Sequence, residues 1–201
     1  RQGLAMMPLS VGWSFGALAC GQLVNLIGKR TAGILGGVLL VMGSAMTLWF
    51  SSETSLVLCS IILTVAGLGM GFVSIATLLV VQNSVDISNL GVATASHQFT
   101  RTLGGTIGIG ISGSLVTVTF LNALEKVLSL NLQQEMDLEL LSRIQQNVGN
   151  IFLPEIQTLL STDVQRALQE AVGYGVMPVF WISLLASIVC LVFAILLPGS
   201  E

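Results

Sequence analysis

Charge is what this chain has least of. Asp, Glu, Lys and Arg together make up 8% of its 201 residues, against a hydrophobic share of 53%, and the mean hydropathy is +0.91. A soluble domain carries about 25% charged residues, so an ordinary water-exposed surface is excluded. The scarce charges are also segregated. Gln2 to Gly28, Thr31 to Ser52, Thr54 to Val85, Thr102 to Leu124 and Ala171 to Ser200 contain none at all.

Other absences narrow the function classes. No basic patch is present, which argues against nucleic acid as a partner. Three cysteines, Cys20, Cys59 and Cys190, are odd in number, far apart and inside apolar runs, so they read as small hydrophobes and not as a disulfide or metal framework. There is one histidine, and no acid and base, metal-ligand cluster or activated nucleophile can be assembled from the charge-free runs, which argues against an enzyme. Neither a cofactor nor a metal is expected. The chain begins at Arg1 with no initiator Met and no signal-peptide pattern, so the N-terminal part of a longer parent is expected to be missing.

What remains is long and apolar. Each charge-free run reaches the roughly 20 residues that a helix needs to cross a bilayer core about 30 Å thick. Barrel strands would alternate in polarity over about 10 residues, whereas these runs are continuously apolar. The expected fold is all-α: a polytopic transmembrane bundle whose partner is the lipid bilayer. Its five spans fall at about 4–27, 31–50, 55–82, 90–124 and 172–197. Pro8 should bend the first helix. Residues 125–171 form a polar connection with helical periodicity: Leu141, Ile144 and Val148 mark one stripe, and Ile156, Leu159 and Leu160 follow Pro154. Thr162 with Gln165 has the capping-box pattern that opens a helix.

Glycine is plentiful and periodic. Gly12 and Gly16, Gly33 and Gly37, Gly67 and Gly71, and Gly104 and Gly108 form i,i+4 pairs on four consecutive helices. Such stripes let backbones approach closely in lipid, and smooth faces of this kind also suit a bundle that rocks. Gly108, Gly110 and Gly113 match G-x-G-x-x-G, but without a preceding strand and inside an apolar span the match carries no dinucleotide site.

Two patterns go further. Gly21-Gln-Leu23-Val-Asn25-Leu-Ile-Gly28-Lys29-Arg30 resembles the loop motif of the major facilitator superfamily, with Asn25 where the acidic residue would stand. Val81-Gln-Asn-Ser, then Gly91-Val-Ala-Thr-Ala, then Gln98-Phe-Thr-Arg101-Thr-Leu-Gly104-Gly105-Thr-Ile-Gly108 resembles the penultimate helix and preceding loop of the fourteen-helix drug:proton antiporter branch. The resemblance aligns the five spans with helices ten to fourteen, the C-terminal bundle of a multi-pass plasma (inner) membrane protein. It implies export of hydrophobic or cationic drugs, driven by the proton gradient through alternating access against the missing N-terminal bundle. A periplasmic adaptor is a further partner if the source has an outer membrane. The resemblance also implies that the Lys29-Arg30 turn is cytoplasmic and residues 125–171 extracytoplasmic. Charge alone leaves orientation open, since the long connection carries Lys126, Arg143 and Arg166.

Two other functions are compatible with the same pattern: a metabolite carrier of the same superfamily, and a membrane scaffold that uses the glycine faces for assembly. The candidate functional residues are therefore of three kinds. Gly21, Leu23, Asn25, Gly28, Lys29 and Arg30 form the loop motif. His97 and Arg101 lie one turn apart, and with Gly104, Gly105 and Gly108 they are candidates for a gate or inter-bundle contact; Arg101 reads equally well as an interfacial anchor whose head snorkels to water. Met6, Met7, Trp13, Phe15, Met70 and Phe72 could form a lipophilic wall for a small hydrophobic substrate, or simply pack. No acid lies within any span, so a proton-coupling carboxylate is expected in the missing part.

Overall fold

The computed structural model describes residues 2–50, 54–131 and 162–197, with side chains for 7–50, 54–122, 173 and 175–197. The described residues form helices and turns, with no strand among them. The helices are α1 (Gln2–Ile27), α2 (Lys29–Thr47), α3 (Leu56–Asn83), α4 (Leu90–Asn131) and α5 (Thr162–Leu196), and a 3₁₀ turn, Ile87–Asn89, precedes α4. Five of the segments are long and apolar enough to cross a membrane. The last helix begins at Thr162, ahead of the hydropathic span at 172. The stripes at Leu141, Ile144 and Val148 and at Ile156, Leu159 and Leu160 lie outside the described residues.

Local chemistry sets the helix ends. Gly28 alone separates α1 from α2, and it has φ 82. That left-handed backbone is available to glycine without a Cβ penalty, and it reverses the chain in one residue while Gly28 N–H still donates to Val24 O at 2.9 Å. Helix α2 stops at Thr47, short of the aromatic pair Trp49 and Phe50, because its end tightens into i→i+3 bonds: Leu48 to Ala45, Trp49 to Met46 and Phe50 to Thr47. Ser55 caps α3, its Oγ accepting from Val57 N–H at 3.3 Å.

The contacts divide the chain into two compact units, residues 1–106 with 180–201, and residues 107–179. In the first unit, α3 lies between α1 and α2 because both of its sides are glycine. A Cβ on Gly12 would meet the backbone of Thr64, and one on Gly16 the backbone of Leu68. In return, a Cβ on Gly67 would meet Leu9 O, and one on Gly71 would come within 2.5 Å of Ala17 N and Trp13 O. Towards α2, a Cβ on Gly69 would lie 2.7 Å from Leu40 N, and one on Gly43 would lie 2.8 Å from Ala66 Cβ. A small cluster of Cys20, Val24, Ala32, Phe72 and Ala76 closes the space between these crossings.

Helix α5 joins α2 through hydroxyls. Ser187 Oγ donates to Ser183 O at 2.8 Å, so its lone pair accepts from Ser44 Oγ at 2.9 Å. Ser44 and Ser187 are buried, while Leu26, Leu56 and Phe193 are exposed. Small and hydroxyl-bearing groups inside with large aliphatics outside is the arrangement that lipid favours. In the second unit Phe120 is buried, and its Cβ lies 3.1 Å from where a Cβ on Gly175 would be.

Gly71→Val forces two backbones apart and should lower the detergent-solubilised thermal midpoint by the equivalent of about 1–3 kcal/mol or more. Gly104→Ala, at a position with nothing within 4 Å of its Cβ, should leave the midpoint unchanged or raise it. Equal loss for both would contradict the packing described. A double-mutant cycle on Ser44→Ala and Ser187→Ala, read by unfolding in SDS, should return a coupling of about 0.6–1.7 kcal/mol.

Candidate functional site

Helix α4 lies against α3 through polar side chains. Gln82 Nε2 donates to Thr94 Oγ1 at 3.1 Å, His97 Nε2 and Thr77 Oγ1 are 3.2 Å apart, and Arg101 Nη1 donates to Ser74 Oγ at 2.8 Å. These rungs fall in reverse order on the two helices, as antiparallel neighbours require. The Thr77 hydroxyl proton is committed to Val73 O at 2.7 Å. Nε2 of His97 is then placed to donate to Thr77, and Nδ1 points away from that contact. That Nδ1 is buried and has no hydrogen-bond partner among the described residues.

Arg101 is the centre of the cluster. Its Cζ sits 4.8 Å from the centroid of the Trp13 ring, contributed by α1. From Leu90 to Arg101 the helix rises about 16 Å, and from Ser74 to the end of α3 about 14 Å. The guanidinium is turned towards α1 and α3, where it meets Trp13 and Ser74. A cation over a desolvated indole face is worth about 2 kcal/mol, and a hydrogen bond to a charged donor about 1.5–3 kcal/mol. Together they offset part of the cost of holding a half-buried charge.

The other sequence candidates separate into distinct environments. In the loop motif, Gly28 makes the chain reversal, and Arg30 Nη2 donates to Ile195 O at 2.9 Å, in the last turn of α5. It thereby satisfies one of the carbonyls that a helix C-terminus leaves without a partner. Lys29 is half-buried, and Gly21, Leu23 and Asn25 lie exposed along α1. A Cβ on Gly104, Gly105 or Gly108 would meet nothing within 4 Å, so the stripe that packs on α1, α2 and α3 is uncovered on α4 among the described residues.

The lipophilic wall does not form as one surface. Phe72 belongs to the core cluster. Phe15 is exposed and lies about 200° around α1 from Trp13, so the two rings cannot line one face. Met7 is also exposed, and the side chain of Met6 lies outside the described residues. Trp13 and Met70 remain, Met70 being one turn before Ser74 on the same α3 face and 46% exposed.

The sequence reading passed over Ser74, Thr77, Ser44, Ser183 and Ser187. The available signal was the spacing of hydroxyls in otherwise apolar runs, i,i+3 for Ser74 and Thr77 and i,i+4 for Ser183 and Ser187. All three cysteines are free, with Cys20 Sγ donating to Phe72 O at 3.6 Å. No group of His, Cys, Asp and Glu among the described residues is arranged to hold a metal.

The fold, with five helices long and apolar enough to cross a membrane, defines a multi-pass α-helical membrane protein. No family profile matches the chain. The chain is 28% identical over 194 residues to the multidrug transporter protein MdtP of Bacillus subtilis (strain 168), an alignment covering 94% of this chain and 35% of that protein. It is 25% identical over 186 residues to the uncharacterized MFS-type transporter YfiU of the same organism, covering 87% and 35%. The multidrug resistance protein fnx1 of Schizosaccharomyces pombe (strain 972 / ATCC 24843) is 29% identical over 154 residues, covering 74% and 28%. The chain thus spans about a third of the length of these relatives.

If the polar rungs are what hold α4, Trp13→Leu should speed hydrogen–deuterium exchange across residues 94–106 in detergent while α1 to α3 keep their protection. Uniform acceleration over all four helices would show that Trp13 is a general core residue and not a specific support for Arg101.

Proposed function

We propose that the chain supplies five helices of the C-terminal bundle of a secondary active exporter of the major facilitator superfamily, in its fourteen-helix drug:proton antiporter branch, at the plasma membrane. The observation that carries this reading is the alignment of 94% of the chain with a protein named as a multidrug transporter. The glycine contacts of α3 and the charge-free spans support it, because a bundle held by smooth backbone crossings can move as one body against another. Export of hydrophobic compounds, cationic ones included, follows as the substrate class, with the proton gradient as energy source and no cofactor.

Within this reading the five spans serve as one wall and not as the coupling device. Proton coupling needs an intramembrane group that can exchange its proton for cargo. The five charge-free runs contain no carboxylate, so that group is assigned to helices of the whole protein outside this chain. Arg30 fastens α2 to the end of α5 and keeps the bundle rigid at the turn that the loop motif occupies.

The test is efflux of a fluorescent lipophilic cation from cells expressing the complete protein, with and without a protonophore. Efflux that stops on adding the protonophore is the expected result. Retention of the dye despite correct insertion, or efflux indifferent to the protonophore, would overturn proton-coupled drug export and favour a metabolite carrier or a membrane scaffold.

A further inference from the structure

We infer that Arg101, supported by Trp13 and Ser74, is a receiving site for the negatively charged head of an amphipathic small molecule, a carboxylate or sulfonate, with the Trp13 ring and Met70 flanking its apolar body. The inference rests on reading the chain as part of an exporter and names a class of cargo that reading does not include.

The Arg101 guanidinium carries five N–H donors in one plane. Ser74 Oγ accepts from Nη1, and the Trp13 ring lies 4.8 Å from Cζ. Both supports are neutral, so they hold the group in place without cancelling its charge. Among the described side chains the only acid is Asp86, which precedes α4 by one 3₁₀ turn and lies fifteen residues before Arg101. Fifteen residues of helix span roughly 22 Å. The nearest other ionisable group on α4 is His97, one turn away, and its Nε2 is engaged with Thr77.

Arg30 is different, because it is exposed and its Nη2 meets the carbonyl of Ile195 at the end of α5. Arg101 is half-buried and has several donors unassigned among the described residues. A planar fork of this kind matches the two oxygens of a carboxylate or sulfonate, and the attraction strengthens as water is excluded. Trp13, against the cation, is 40% exposed, and Met70, one turn before Ser74 on α3, is 46% exposed, so both leave apolar surface uncovered among the described residues. Neutral supports of this kind hold an arginine in place while leaving its charge open to an anionic partner that comes and goes.

The test compares two xanthene dyes of opposite charge, fluorescein and rhodamine 6G, binding to the complete protein in nanodiscs and followed by fluorescence anisotropy. Arg101→Gln should weaken fluorescein about tenfold or more while rhodamine 6G stays within about twofold. Arg101→Lys should fall between, since it keeps the charge and loses the fork, and Ser74→Ala should weaken fluorescein alone. If Arg101→Gln does not fold, the last two variants carry the test in the same terms. Fluorescein affinity unchanged in the variants, equal weakening of both dyes, or no fluorescein binding by the unaltered protein would each overturn the site; the last is what a permanent internal carboxylate would give. Protonophore-sensitive export of rhodamine 6G is read separately. Export without charge-selective binding sinks the anion site and leaves the exporter standing, and charge-selective binding without export does the reverse.

Discussion

In hydrocarbon, apolar side chains gain little by leaving lipid for one another, so helices associate where backbones can touch and polar groups can pair. The contact on which the rest of this chain depends is the approach of α3 to α1 and α2 at glycine. Gly67 and Gly71 abut the backbone of residues 9–17 in α1, and Trp13 contributes its N to one contact and its O to the other. The position of the Trp13 ring is therefore fixed by the same crossing that joins the helices. Ser74 follows Gly71 by three residues, about 60° around α3 from the line that faces α1, which sets its hydroxyl beside that ring. The support for Arg101 is a by-product of the glycine interlock, and a side chain large enough to separate α1 from α3 would dismantle both.

The same logic explains what is buried. Ser44 and Ser187 are inside and Leu26 and Phe193 outside, because a hydroxyl in lipid needs a partner while a leucine does not. Helix α5 is tied to α2 by the serine group in one region and by Arg30 at its last turn. The edge-to-face pair Phe50 and Phe180, with centroids 6.0 Å apart, adds a contact where the chain leaves α2. The pairing of α2 with α5 is thus specified by polar and aromatic groups together with Gly37 against Leu191, whereas the pairing of α3 with α1 and α2 is specified by the lack of side chains.

Much of this was legible because lipid imposes a coarse code. Five charge-free runs gave five helices, and i,i+4 glycines gave the interlocking faces of α1 and α3, whereas α2 meets α3 through Gly36 and Gly43 and turns Gly33 and Gly37 towards α5. The identical spacing at Gly104 and Gly108 met no neighbour, since a stripe reports a smooth face and says nothing of what covers it. Hydropathy could not separate Met70 from Phe72, because both are apolar and two residues apart, yet one is half exposed and the other sits in the core. The opposition of Trp13 and Phe15 was available from helical arithmetic alone. Arg101 was visible as an anomaly, but its partners were not: Ser74 is a small hydroxyl in a 28-residue apolar helix, and only the crossing angle of α3 and α4 brings it to the guanidinium. The end of α2 was set by three short backbone bonds that leave no mark in composition.

The electrostatic character of the five spans follows from those facts. Arg101 is half-buried within them, and the charge-free runs around it contain no carboxylate, so the field that they present towards a ligand in the membrane is positive. A cationic drug approaching the Trp13 face would be drawn by the indole and repelled by the guanidinium stacked on it, and the repulsion is the stronger of the two because a full charge outweighs a quadrupole at similar distance. In the exporter proposed above, cationic cargo would then be neutralised from another wall, at some distance from Arg101. That proposal gives opposite electrostatic roles to the two sides of the binding space: a carboxylate-bearing side that would trade proton for cation, and this side, which would repel the released cation or receive an anion. Asn25, neutral where the resembling motif is acidic, is consistent with a half from which negative charge has been kept out at the turn as well as in the spans.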